Sequence, residues 1–226
     1  MQELLKTVQI KVNDKIYLKD PESSDIGKSM IKESIYMIHD IGLESFTFKK
    51  LADHLGTTES TIYRYFENKH KLLIYLISWY WGWLEYEIVL STTNIVEVTN
   101  KLRITIDTIC DPLRDNIEHY YVSLKPLHEI VISESPKAYL TKDVDFENEH
   151  DFFANYKRIN ERLINCIREI NPNFMYSKSL ASIILESSIQ QRFFALHFPN
   201  LTEIDKKGKD LGEVLFNVVI NTIKNN

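Results

Sequence analysis

Thr47, Lys49, Thr58, Ser60, Thr61, Tyr63, Arg64, Tyr65 and Lys69 crowd hydroxyl, phenol and cationic donors into one short stretch of this chain. Such side chains suit the oxygens of a phosphate backbone, and an arginine fork matches O6 and N7 of guanine. Glu59, in the same stretch, either accepts from a cytosine amino group or is a solvated carboxylate at a helix start, favoured by the helix dipole. No nucleophile–base arrangement, glycine-rich phosphate loop or HExxH pattern occurs, so nothing in the chain supports enzymatic chemistry.

The elements needed to present these donors are legible in the spacing. Thr47 is placed to cap a helix from Phe48 to His54, with Leu51 and Leu55 facing inward and the small Ala52 permitting close helix approach. Gly56 supplies the turn, free of Cβ strain. Thr58 caps a second helix from Glu59 to Phe66, with Ile62 and Phe66 inward. The outer surface then receives Thr57, Glu59, Ser60, Thr61, Tyr63, Arg64 and Tyr65. That is the layout of a helix-turn-helix with a polar recognition helix. Read for packing alone, the same pattern is a small helical hairpin with no nucleic-acid role. A preceding helix, with Ile26, Met30, Ile31, Ser34, Ile35, Ile38 and Ile41 on one broad face, ends at Gly42.

The stretch Thr47, Leu51-Ala52, Gly56-Thr57-Thr58, Ile62-Tyr63-Arg64-Tyr65-Phe66 and Lys69-His70-Lys71-Leu72 resembles the DNA-binding domain of the TetR family. The resemblance covers about residues 26–73, and Thr57-Thr58 stands where the family usually has Val-Ser. It implies phosphate contacts from Thr47, Lys49, Tyr63 and Lys69, and puts Glu59, Ser60, Thr61, Arg64 and Tyr65 near base edges, with Thr58 at the start of the recognition helix. It also implies a homodimer, a palindromic double-stranded DNA operator and a small-molecule effector.

Charge neither suggests nor forbids this. The net charge is -5, but residues 1–71 carry 11 Lys/Arg and 11 Asp/Glu, whereas residues 72–226 carry 16 against 21 and hold the whole deficit. A neutral head on an acidic body is compatible with DNA if the head's cations share a face. Only two cysteines occur, Cys110 and Cys166, with no ligand-spaced partner, so neither a zinc site nor a disulfide framework is expected and a reduced, cytoplasmic setting is. Met1 to Lys11 is too polar for a signal peptide, and no apolar run approaches the ~18 residues needed to span a bilayer.

Before the head, Val8, Ile10, Val12, Ile16 and Leu18 alternate with polar residues around Asn13-Asp14-Lys15. This predicts either a short N-terminal β-hairpin with Ile10, Val12, Ile16 and Leu18 on one face, or a loose extension. After the head, a helix from Lys69 carries Trp79, Tyr80, Trp81, Trp83 and Tyr86. Further helices are expected near 95–110, 115–134, 147–170, 176–197 and 209–224, with Asp111-Pro112, Lys125-Pro126 and Ser135-Pro136 marking ends or kinks. Consecutive aromatics cannot all face one core, so Trp79, Trp83, Tyr86, Tyr120, His128, Phe153 and Tyr156 are candidates to wall a ligand pocket; the alternative for each is plain packing. The run Asp143, Asp145, Glu147, Glu149, Asp151 with His150 reads as a solvated helix start rather than a metal site. In the last helix, Leu211, Val214/Leu215, Val218 and Thr222 form one stripe and Phe216, Ile220 and Ile223 another, so it must be buried on two sides. With the small-residue helix before it, it would build a four-helix dimer seam.

The expectation is an all-α protein: residues 1–23 an N-terminal extension, 24–71 a DNA-binding head, and 72–226 an effector-binding and dimerisation body. No metal, cofactor, membrane contact or enzymatic activity is expected. The function implied is a ligand-responsive transcriptional repressor; the alternative is a helical ligand-binding or enzymatic protein whose head does not bind DNA.

Overall fold

A computed structural model describes residues 9–113 and 121–224, and all regular structure among them is helical. The chain divides into two compact units, Met1–Gly82 with Asn116–Asn155 and Trp83–Asp115 with Tyr156–Asn226.

The first unit opens with α1, Asp25–Ser45, whose N-terminus is capped by the Ser24 hydroxyl. Its buried face is Met30, Ile31, Ser34, Ile35 and Ile38, as the 3.6-residue period requires, and helical geometry breaks at Gly42, where φ is 74°. Then come α2, Phe48–His54, and α3, Glu59–Tyr63. The next helix, α4, spans Lys69–Thr92, and its residues 72–85 are all buried. A helix apolar all round must be enclosed on all sides, and Trp79, Tyr80 and Trp81 are all buried. After α5, described below, the first unit resumes with α6, Leu124–Glu134, packed on α1, then α7, Pro136–Tyr139, and α8, Val144–Glu149. Pro136 ends α6 as expected, whereas Pro126 lies in the first turn of that helix, where a missing N–H costs nothing.

The acidic run 143–151 departs from expectation at Glu147. It is 1% exposed rather than solvated, and its Oε1 accepts from Lys71 Nζ at 2.8 Å and sits 2.9 Å from His70 Nε2. Lys71 also lies over the Phe152 ring, 4.2 Å from its centroid. The helix expected over 147–170 is broken at Asp151, whose φ of 60° lets Phe152 N–H donate back to the Glu147 carbonyl at 3.0 Å.

Residues 9–24 form no hairpin. Two 3-10 turns stand there, Asp14–Ile16 and Pro21–Ser23, the first closed by the Asn13 side chain accepting from Lys15 N–H. Ile10, Val12 and Ile16 are buried as the alternation demands, but Leu18, expected on the same face, is 68% exposed. The reason is the source of the backbone partners. Asn155 Nδ2 donates to the Lys11 carbonyl at 3.2 Å, Asn13 Nδ2 donates to the His150 carbonyl, and Leu18 N–H donates to the Tyr65 carbonyl at 2.8 Å. Partners from distant elements replace a neighbouring strand, and the segment is neither hairpin nor loose. Gly82 makes room for it: a Cβ there would stand 2.6 Å from Ile10 Cγ2 and 2.7 Å from Asn155 Nδ2.

The second unit contains the end of α4, α5 (Val98–Cys110), most of α9 (Ala154–Ile170), α10 (Ser177–His197) and α11 (Leu211–Lys224). Glu97 caps α5 by accepting from the Thr99 and Asn100 amides, and α5 packs on both α10 and α11. Glu85, 8% exposed, accepts from Arg158 Nε at 2.5 Å and Arg162 Nη2 at 2.8 Å, tying α4 to α9. Cys110 and Cys166 are buried here, and burial first, then Asp107, pushes the Cys110 thiol up to about 12, so it is inert as a nucleophile. No helix among the described residues is long and apolar enough to cross a membrane.

Candidate nucleic-acid interface

The Thr47 hydroxyl accepts from Lys50 N–H at 3.2 Å and starts α2 where the spacing placed it. Leu51 and Ala52 are buried at 0% and 2%, and the helix closes through Gly56. Gly56 adopts φ 63°, Thr57 N–H donates to the Ala52 carbonyl at 2.9 Å and Gly56 N–H to the Asp53 carbonyl at 3.3 Å. This is a Schellman closure, which needs a left-handed residue at its corner and so favours glycine.

At α3 the position of Thr58 is as expected but its bond is not. Its hydroxyl makes no backbone cap; it lies 2.8 Å from Ser60 Oγ and 3.0 Å from Thr61 Oγ1, while Thr57 donates to Thr61 at 3.1 Å. The result is a hydroxyl cluster at the helix start. Ile62 and Phe66 are fully buried, and the Phe48 ring meets Tyr63 edge-on at 5.0 Å, setting the angle between the two short helices.

Thr47, Lys49, Thr58, Glu59, Ser60 and Arg64 are exposed, Tyr63 is 47% exposed, and Thr61 is half-buried. Two of the candidate residues behave otherwise. Tyr65 is 2% exposed, and its hydroxyl lies 2.8 Å from the Ser24 hydroxyl at the head of α1. It belongs to the core, hydrogen-bonded at the start of α1, and does not stand on the outer surface. Tyr65 stands three residues after Ile62, on the face that Ile62 and Phe66 turn inward, so placing it on the outer surface misread the helical spacing. Lys69 is half-buried, and its ammonium donates to the carbonyls of Leu43 at 3.0 Å and Glu44 at 3.2 Å, fixing the connection between α1 and α2. Its positive charge is near the α2 edge, but its donors are committed within the fold. Lys50, which the sequence did not single out, plays a similar part by donating to the Ser45 carbonyl at 2.8 Å.

The candidate pocket residues fall in both units. In the first, Trp79 and His128 are buried, Phe153 is half-buried, and Tyr80 Oη lies 2.8 Å from His128 Nδ1 with the rings stacked at 5.7 Å. In the second, Trp83 is buried, Tyr86 is half-buried, and the Tyr156 hydroxyl donates to Glu186 at 2.7 Å. Tyr120 lies outside the described residues. Clefts open at other places. One of about 520 Å³ in the second unit is bordered by Asp107, Asp205 and Gly208, and one of about 330 Å³ in the first runs beneath residues 9–22.

Two short helices joined through a glycine corner, with an exposed polar face and a third helix behind, define a helix-turn-helix head of the DNA-binding kind on an all-α chain. Residues 31–76, about a fifth of the chain, match the model of the bacterial regulatory proteins of the tetR family. Among curated proteins, the nucleoid occlusion factor SlmA of Haemophilus influenzae is 32% identical over 104 residues, covering 42% of this chain and 48% of that protein. The chain thus spans about half the length of the curated relatives it matches. Among solved structures, FadR of Bacillus subtilis in complex with stearoyl-CoA aligns with a TM-score of 0.62 at 16% identity, covering 86% of this chain and 97% of that one. AibR in complex with isovaleryl coenzyme A and operator DNA aligns with a TM-score of 0.58 at 13% identity, covering 84% and 97%. At these identities the likeness is one of fold.

Proposed function

We propose that the protein is a ligand-responsive transcriptional repressor that binds a palindromic operator as a homodimer and is released from it by a small molecule. The observation that carries the reading is the exposed face of the head: Lys49, Ser60, Tyr63 and Arg64 stand out from a pair of helices whose Leu51, Ala52 and Ile62 are buried. Lys49, Thr47 and Tyr63 are the phosphate donors, and Arg64, with Ser60, Thr61 and Glu59 beside it, is the base reader. Residues 24–71 form the DNA-binding segment of this scheme and 72–226 the effector and dimerisation segment, with 1–23 as an added arm.

Dimerisation is supported by the second unit. Val214 and Val218 of α11 are 47% and 55% exposed, and Ile183 of α10 is 57% exposed, while Leu211, Leu215, Phe216, Val219 and Ile220 point into the unit. The outward stripe is therefore Val214/Val218, narrower than the expected one, because Leu211 and Leu215 are used internally. A second copy applied to these helices would place two recognition helices in successive major grooves if they stand ~34–36 Å apart. An effector that prefers another spacing shifts the population away from DNA. The effector-bound fold relatives, FadR with stearoyl-CoA and AibR with isovaleryl coenzyme A, support a small-molecule effector as such.

The test is operator selection from a random duplex pool, followed by a salt titration of binding. A two-fold symmetric consensus with a steep salt dependence is expected. Absence of any salt-dependent duplex binding would favour the helical protein with an idle head.

A further inference from the structure

The arm of residues 9–22 covers a cleft of about 330 Å³, a size within the roughly 300–1,000 Å³ range of small-molecule sites. Its walls carry the carboxylates of Asp14, Asp20 and Glu22 and the rings of Tyr17 and Tyr75, which meet edge-on at 6.0 Å. None of the three carboxylates has an ion-pair partner among the described residues. Asp20 Oδ1 takes the Glu22 amide at 2.8 Å and Glu22 Oε1 takes the Tyr121 hydroxyl, which leaves the other oxygens of both for a ligand. Lys11, exposed on the rim, offsets one of the three charges.

A second observation is independent of the acidic cluster. Tyr75 is 1% exposed, lines the cleft, and its hydroxyl makes no hydrogen bond among the described residues. A phenol buried to that extent ordinarily finds a partner. Burial, then Tyr121, Glu22 and Asp20, raise its pKa well above the usual tyrosine value, so it stays a neutral hydroxyl able to accept from an N–H. No three His, Cys, Asp or Glu among the described residues are arranged to hold a metal ion.

We propose that this cleft binds a small organic ammonium ion, held by Asp14, Asp20 and Glu22, faced by the Tyr17 and Tyr75 rings, and hydrogen-bonded to the Tyr75 hydroxyl. Spread carboxylates with aromatic faces suit an alkylammonium better than a compact hydrated ion. The site goes beyond the effector reading above and does not depend on DNA binding. It has a consequence for the head all the same. The same arm holds Tyr65, because Leu18 donates to its carbonyl and Lys19 lies over its ring at 5.0 Å, so an occupied cleft fastens the segment behind the recognition helix.

Titration calorimetry of the full chain with 1,4-diaminobutane tests the site, with 1,4-butanediol as the neutral analogue. The diamine should bind saturably and the diol not at all. Asp14→Asn with Asp20→Asn removes two charges while the asparagine at 20 keeps the turn's cap, and should weaken binding roughly tenfold or more. Tyr75→Phe, which only deletes the hydroxyl, should weaken it several-fold and serves if the double variant does not fold. Asp143→Asn with Asp145→Asn, which removes equal charge from an exposed run, should leave the affinity unchanged. No saturable binding by the wild type, equal binding of the diol, undiminished binding by both cleft variants, or an equal loss in the Asp143/Asp145 variant would each overturn the proposal.

Discussion

Arg64 and Tyr65 are neighbours in sequence, yet one is exposed and the other is 2% exposed. Arg64 is the side chain in α3's wake able to make a forked contact with guanine. Arg64→Ala should therefore cost ~1–3 kcal/mol on the selected operator and flatten preference at one position per half-site, as read by competition among single-base operator variants. Lys69 invites the opposite expectation. With its ammonium on the Leu43 and Glu44 carbonyls, Lys69→Ala should lower stability by about 1 kcal/mol in urea unfolding while the salt slope of DNA binding stays unchanged. A slope reduced by about one unit would return Lys69 to the phosphates. His39 is sensitive to pH. Hydrogen bonds to Asp40 and Glu129 hold its imidazole above the ordinary value of 6.5. The protonated ring is thus favoured by folding, so its contribution is fully present below about pH 6.5 and fades as pH rises through the raised value. The stability difference between wild type and His39→Gln, followed by thermal unfolding, should shrink as pH rises from about 6.5 through the raised value.

Among elements, the Glu147 carboxylate ties α8 to α4. Glu147 is 1% exposed and takes both Lys71 and His70. Glu147→Ala removes the acceptor and leaves two nitrogens facing each other, which should destabilise the first unit by about 3 kcal/mol. That is the lower end for a broken buried pair, because Lys71 is 15% exposed and keeps its contact with the Phe152 ring. Denaturant unfolding measures it, and a change below 1 kcal/mol, about what surface pairs are worth, would mean that solvent already screens the pair.

For the whole molecule, the outward stripe of Val214, Val218 and Ile183 sets the expectation. If α10 and α11 form the seam, the melting temperature should rise with protein concentration, since association and folding are linked. Val218→Asp should strand a carboxylate in that seam and shift the protein to monomer in sedimentation, with operator affinity falling in parallel. A wild-type protein that sediments as a monomer at micromolar concentration would remove both the seam and the paired-head scheme.

What the sequence determined by itself is local. Leu51, Ala52, Ile62 and Phe66 are inward because helical periodicity and a glycine corner are properties of a few adjacent residues, and Gly56 takes its left-handed φ for the same reason. The burial of Ile10, Val12 and Ile16 was legible from alternation, but the shape of the arm was not, because its hydrogen-bond partners Asn155, His150 and Tyr65 are far along the chain. Glu147 looked solvated for the same reason: His70 and Lys71 lie 77 and 76 residues away. Tyr65 is inward because it stands three residues after Ile62 and shares its face, a spacing already legible in the chain. The aromatic crowd of α4 gave no hint of which rings would meet solvent, and enclosure on every side buried Trp79, Tyr80, Trp81 and Trp83 alike. Periodicity fixes which residues want to leave water; only the tertiary packing decides where each charge, hydroxyl and backbone amide finds its partner.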